Sequence, residues 1–263
     1  IRTNGNDLIS APVTGETFTT FAGNNANLFE NPVNTTEKLF GPFDKTTDTY
    51  LTYDTAIPVE ANVILEPGIG YRAASTDNST FSFEGIVNTG DINVAIVNSG
   101  PTNPEWNLIG NPYPSYITAL DFLTLNESQF DPLSFGVYGY DGDASDGWKI
   151  WNLAYALENP NSLITPGQGF FVASKIEDAT IEFTPSMRSI GSSDDFVANK
   201  NTNISHLFDI RHVRRKRAPL IKTRHAIYCR KYKHYQLQFS ENFEWSGINH
   251  VCLTFEGHDK SAF

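Results

Sequence analysis

Residues 164–172 read Ile164-Thr165-Pro166-Gly167-Gln168-Gly169-Phe170-Phe171-Val172, and this stretch decides the class of fold. Pro166 fixes φ at a turn, Gly167 permits positive φ, and Phe170, Phe171 and Val172 then start a buried strand. Upstream, Tyr138, Tyr140, Trp148 and Trp151 flank the turn Asp141-Gly142-Asp143-Ala144-Ser145-Asp146-Gly147. Aromatic strands on both sides of a Gly/Asp turn predict a hairpin. Downstream, Thr180-Ile181-Glu182-Phe183 alternates polar and apolar residues, as a half-exposed strand does. A single short helix is expected, around residues 117–123. Several short strands per hundred residues predict an all-β fold, sandwich-like or barrel-like.

The same signals occur earlier in the chain. Leu65-Glu66-Pro67-Gly68-Ile69-Gly70-Tyr71 matches Ile164 to Phe170 at an offset of 99. Asn6-Asp7-Leu8-Ile9-Ser10-Ala11-Pro12 resembles Trp106-Asn107-Leu108-Ile109-Gly110-Asn111-Pro112, with Leu8, Ile9 and Pro12 recurring at 100. Tyr50-Leu51-Thr52-Tyr53 matches Trp148 to Trp151 at 98, and Thr80-Phe81-Ser82-Phe83 matches Thr180 to Phe183 at 100. Four ordered matches at nearly one offset predict tandem units of about 100 residues. The first is expected over 1–98 and the second over 99–200, with turn-forming residues 98–104 at the junction. Residues 17–21, opposite the helix candidate, read as no more than a turn.

Charge divides the chain differently. The net charge of -11 is the sum of -17 over residues 1–200 and +6 over 201–263. All six histidines and both cysteines lie after residue 200. The acidic body repels nucleic acid and anionic membranes at long range. No run approaches the roughly 18 apolar residues of a membrane span. The chain starts at Ile1 without a basic and apolar leader pattern, which reads as a mature product or an excised fragment. Residues 201–263 are expected not to be an integral part of the fold. A shifted reading frame would produce such an abrupt change; the plain alternative is a solvated basic tail lying on the acidic body. The run Arg211 to Arg217 would serve as a nucleic-acid patch in another setting.

The string Trp106-Asn107-Leu108-Ile109-Gly110-Asn111-Pro112-Tyr113-Pro114-Ser115 resembles a motif of a repeat module in Bacteroidetes proteins exported by the type IX secretion system. In that family an aromatic hairpin, a Pro-Gly-x-Gly-aromatic turn and a Phe-Thr-x-x-Met-Arg stretch follow. Here these are Tyr138 to Trp151, Pro166 to Phe170, and Phe183-Thr184-Pro185-Ser186-Met187-Arg188. The resemblance covers roughly residues 1–190. It implies export, a place on or outside the cell surface, and adhesin-like or polysaccharide-degrading parent proteins. It carries no catalytic residue. The family continues towards a sorting domain as polar, strand-forming sequence, whereas this chain runs into its basic segment.

The residues available limit the chemistry. With no His or Cys in 1–200, the body holds no Ser-His-Asp or Cys-His centre and no Cys/His zinc site. Two facing carboxylates of a glycosidase or lyase remain conceivable on composition alone, and none stands in a recognisable arrangement. No cofactor is indicated except Ca²⁺, for which Asp141, Asp143 and Asp146 are the candidate ligands, against the plainer reading of an acidic turn that caps its own backbone. Tyr138, Tyr140, Trp148, Trp151 and Tyr155 are the candidate platform for stacking on sugar rings, against cross-strand pairing within a hairpin. Asp54-Thr55-Ala56 resembles a short O-glycosylation motif of exported Bacteroidetes proteins, and Asn34, Asn78 and Asn126 begin Asn-x-Ser/Thr patterns. The expected function is a non-catalytic, secreted or cell-surface β module. The alternative is a carbohydrate-binding module beside a polysaccharide-degrading enzyme, with an extracellular polysaccharide or cell-surface glycan as partner. A carboxylate glycosidase or lyase comes third.

Overall fold

The computed structural model describes residues 6–77, 79–140 and 148–192, and the backbone of 208–212 and 251–255. The first half runs β1 (Asn6–Ser10), β2 (Val13–Thr14), α1 (Phe18–Asn24), β3 (Glu37–Lys38), β4 (Phe40–Asp44), β5 (Thr49–Tyr50), β6 (Tyr53–Asp54), α2 (Pro58–Ala61), β7 (Gly70–Ala74), β8 (Ser82–Val87) and β9 (Ile92–Ile96). The second runs β10 (Trp106–Gly110), β11 (Tyr116–Thr118), α3 (Ala119–Leu125), β12 (Val137–Tyr140), β13 (Trp148–Trp151), α4 (Leu153–Glu158), β14 (Leu163–Ile164), β15 (Gly169–Ala173), β16 (Ala179–Phe183) and β17 (Arg188–Ser189). Beyond these lie β18 (Phe208–His212) and β19 (Val251–Phe255). The fold is all-β, and every described strand pairing is antiparallel.

Two four-stranded sheets share one order, β1-β7-β4-β5 and β10-β15-β12-β13. In each, a Pro-Gly turn delivers the chain into the second strand of the sheet. Gly68 (φ 83°) and Gly167 (φ 66°) sit in the left-handed region that a side chain would strain. A Cβ on Gly68 would also lie 2.4 Å from Val94 Cγ2. The expected hairpin is present, with Tyr140 opposite Trp148 and Val137 opposite Trp151.

Helices are more numerous than the sequence suggested. Residues 17–21, read as a turn, belong to α1. Thr17 caps it by accepting from the Thr20 N–H at 3.3 Å, and Phe18 and Phe21 enter the first core together. Tertiary burial of that apolar pair outweighs a sequence rich in Thr and Gly. A shared device then closes each half. The Asn25 amide donates to the carbonyls of Phe21 (2.8 Å) and Ser82 (2.9 Å), and its oxygen accepts from Ser82 N–H at 2.6 Å. Asn126 makes the same three bonds to Phe122 (3.0 Å) and Glu182 (2.9 and 2.8 Å).

The cores are separate, but the chain crosses between them. One gathers Phe18, Phe21, Phe40, Leu65, Tyr71 and Phe83; the other gathers Phe122, Phe130, Phe170, Val172 and Phe183. β9 precedes the junction in sequence, yet it pairs with β16 and buries Val94 and Ile96 in the second core. Lys45 ties the junction down, its ammonium donating to the carbonyls of Val97 (3.0 Å), Pro104 (2.7 Å) and Trp106 (2.6 Å). β19 pairs with β8, giving the sheet β18-β19-β8-β2. No helix among the described residues is long and apolar enough to cross a membrane.

Candidate functional site

Strand alternation separates the five aromatic candidates. In β12 and β13, residues Tyr138, Tyr140, Trp148 and Ile150 share one face, while Val137 and Trp151 share the other. The first face turns towards the first half. Tyr138 packs edge-on against Trp106 (centroids 4.6 Å apart, 81°), and burial pushes its hydroxyl pKa up. Tyr140 meets Trp148 at 5.2 Å and 61°. Trp148 then meets Phe171 at 5.7 Å, and on its other side Phe171 contacts Phe43 at 5.3 Å and Tyr50 at 6.3 Å.

On the opposite face Trp151 is half-buried against the second core. Tyr155 stacks on it at 5.4 Å and 16°, held by the start of α4, where Asn152 accepts from the Tyr155 N–H at 2.9 Å. The five rings therefore form two groups: Tyr138, Tyr140 and Trp148 at the junction of the halves, and Trp151 with Tyr155 beside α4. Trp148 (45% exposed) and Tyr155 (38%) are the members that offer most ring surface to solvent.

Arg72 completes the junction group, and sequence reading passed over it. Its guanidinium carbon lies 5.0 Å from the Tyr50 ring centroid. Burial pushes the Tyr50 hydroxyl up to about 12, with the Arg72 charge opposing; burial lowers the pKa of Arg72 itself. Its Nε is buried without a hydrogen-bond partner. A signal was present: Gly70-Tyr71-Arg72 matches Gly169-Phe170-Phe171, so a charge stands where the other half has a phenylalanine.

The calcium candidates Asp141, Asp143 and Asp146 lie outside the described residues. The matching turn in the first half is spent on its own backbone. Asp44 accepts from Thr46 N–H (2.9 Å) and the Thr47 hydroxyl (2.8 Å), which lower its pKa. Among the described residues no group of His, Cys, Asp and Glu is placed to hold a metal ion. Of the possible modification sites, the Thr55 hydroxyl donates to the Thr36 carbonyl at 3.1 Å, and Asn126 is 2% exposed with its amide committed.

The molecule is thus an all-β protein of several antiparallel sheets, with an aromatic cluster and the Arg72 guanidinium where the halves meet. The chain belongs to the family described as a domain of unknown function (DUF8693), whose model matches residues 5–218 in a single span. That span covers both halves and passes residue 201 to include β18. No curated protein and no solved structure matches the chain.

Proposed function

We propose that this chain is a non-catalytic β module of an exported bacterial protein, displayed on or outside the cell surface as an adhesin-like, structural or accessory unit. One observation carries this reading: the motif that gives the chain its resemblance is consumed by folding. The Asn111 amide donates to the carbonyls of Ser115 (2.8 Å) and Thr165 (3.0 Å). The Tyr113 hydroxyl has one proton to donate and lies between two carbonyls that can accept it, Gly90 (2.8 Å) and Phe183 (2.9 Å). Asn107 bonds both the N–H (3.0 Å) and the C=O (2.9 Å) of Val97. Polar groups so committed hold strands and turns in register and leave nothing to abstract a proton or attack a bond. The same reading takes the two halves as copies of one unit, supported by the common strand order and by the matching Asn25 and Asn126 networks. The test is a screen of the purified chain against plant and marine polysaccharides. No hydrolysis or elimination is expected; turnover that vanishes when one carboxylate is changed to its amide would overturn the proposal.

A second reading, a glycan-binding module attached to a polysaccharide-degrading enzyme, draws on the half-exposed Trp148 of the junction group. An indole face open to solvent stacks on the apolar face of a sugar ring. Retention on insoluble polysaccharide that is lost in Trp148→Ala supports it, and equal retention of the variant removes it.

A further inference from the structure

Arg72 and Phe171 hold corresponding places in the two sheets. Each stands opposite a leucine, Leu8 for Arg72 and Leu108 for Phe171. Phe171 fills its place with ring contacts to Phe43, Tyr50 and Trp148. Arg72 brings a cation into the same aromatic surroundings, with its guanidinium over Tyr50. The described residues contain one ion pair, Lys38 with Glu30, and it does not involve Arg72. Among the described residues the buried Nε has no hydrogen-bond partner.

This arrangement costs the fold free energy. A buried donor left unpaired is destabilising, and more so when it is charged. A cation over an aromatic ring offsets part of that. Phe171 shows that an apolar ring fits the position. A guanidinium held half-desolvated among aromatic rings is a ready partner for a planar carboxylate, which its donor fork matches. Trp148, 45% exposed and joined to the Tyr50–Arg72 pair through Phe171, offers the stacking face. A dense polyanion is disfavoured, because residues 1–200 carry a net charge of -17.

We propose that Arg72 and Trp148 form a subsite for a single hexuronate unit within an otherwise neutral glycan, the carboxylate accepting from the guanidinium and the sugar ring stacking on the indole. The inference rests on the glycan-binding reading above. Calorimetry of the full chain at 0.15 M salt tests it, with a glucuronate-containing oligosaccharide and its carboxyl-reduced, neutral counterpart as probes. The acidic form is expected to bind about tenfold or more tightly than the neutral one, the size of a charged hydrogen bond. Arg72→Gln should remove that preference and leave binding of the neutral form unchanged, and Trp148→Ala should weaken both. Arg72→Phe, which copies the other half, should keep the fold and show the same loss, so a folding defect in the Gln variant does not blunt the test. Equal binding of both probes, or an undiminished preference in the Arg72 variants, overturns the subsite while the glycan reading stands. Binding of neither probe removes both.

Discussion

Gly110 donates its backbone N–H to the carbonyl of Gly68 at 3.0 Å, across the line where the halves meet. Ser10, its counterpart 100 residues earlier, donates to the Gly167 carbonyl at 2.8 Å. The first strand of each half is thus pinned to the Pro-Gly turn of the other. Such an approach has no room for a side chain: a Cβ on Gly110 would lie 2.5 Å from Ser10 Cβ and 2.6 Å from the Gln168 carbonyl oxygen. Gly110→Ala is expected to cost about 2–3 kcal/mol in urea unfolding, as overpacking between fixed backbones does. Gly23→Ala is the contrast. It lies in α1 with nothing within 4 Å of an added Cβ, and should gain up to about 1 kcal/mol from helix propensity. A Gly110→Ala variant as stable as the parent would mean that the halves do not depend on this contact.

The paired asparagines give a second expectation. Asn25 and Asn126 are 3% and 2% exposed, and each satisfies one N–H and two carbonyls. Alanine at either position leaves buried backbone groups unpaired, which costs about 2 kcal/mol or more. If the halves are copies of one unit, Asn25→Ala and Asn126→Ala should lower stability by similar amounts. A large loss from one and none from the other would separate the halves energetically.

What could be read in the sequence was local chemistry. Pro67-Gly68, Pro166-Gly167 and the aromatic hairpin declare themselves because φ restriction and strand pairing act over a few residues. The α1 helix did not, because what holds it is Phe18 and Phe21 meeting Phe40 and Phe83, contacts made only after folding. Asn126 reads as a modification pattern and serves as a buried staple. Arg72 stands out only when the two sheets are laid side by side and Phe171 is found in the matching place. The aromatic candidates were visible as a set, but their division between two faces depends on a register that begins at Val137 opposite Trp151.

Glu16 makes stability depend on pH. It is 2% exposed, and neither carboxylate oxygen has a hydrogen-bond partner. Burial raises its pKa from 4.5 to about 8; the Glu84 backbone N–H opposes this more than the Glu84 carboxylate aids it, and the Asn24 amide opposes it least. Below about 4.5 both folded and unfolded chains hold the proton, and ionisation costs nothing. Between there and about 8 the folded state keeps a proton that the unfolded chain releases, so stability falls as pH rises. Above that the full cost applies, on the order of 5 kcal/mol. Glu16→Gln should match the parent near pH 5 and exceed it near pH 8.5 in urea unfolding. A variant whose stability follows the parent across that range would show that another group sets the slope.

The last expectation concerns the basic segment. It carries 11 Lys and Arg in residues 201–263, against 8 in the 200 residues before it. β19 is joined to the body by one strand pairing, along Ser82 to Gly85 of β8. The two large described cores run from Ala11 to Phe83 and from Val94 to Met187. The family match ends at 218, before β19. A single strand pairing to the body opens more readily than a core. Brief trypsin treatment should therefore cut beyond residue 200 first and leave a folded fragment of about 200 residues, read by mass spectrometry and by an unchanged near-UV spectrum. Hydrogen exchange on the intact chain supplies the opposing result: amides of 251–255 as protected as those of β8 would make β19 a working strand of the fold, and the segment could then not be set apart from the body.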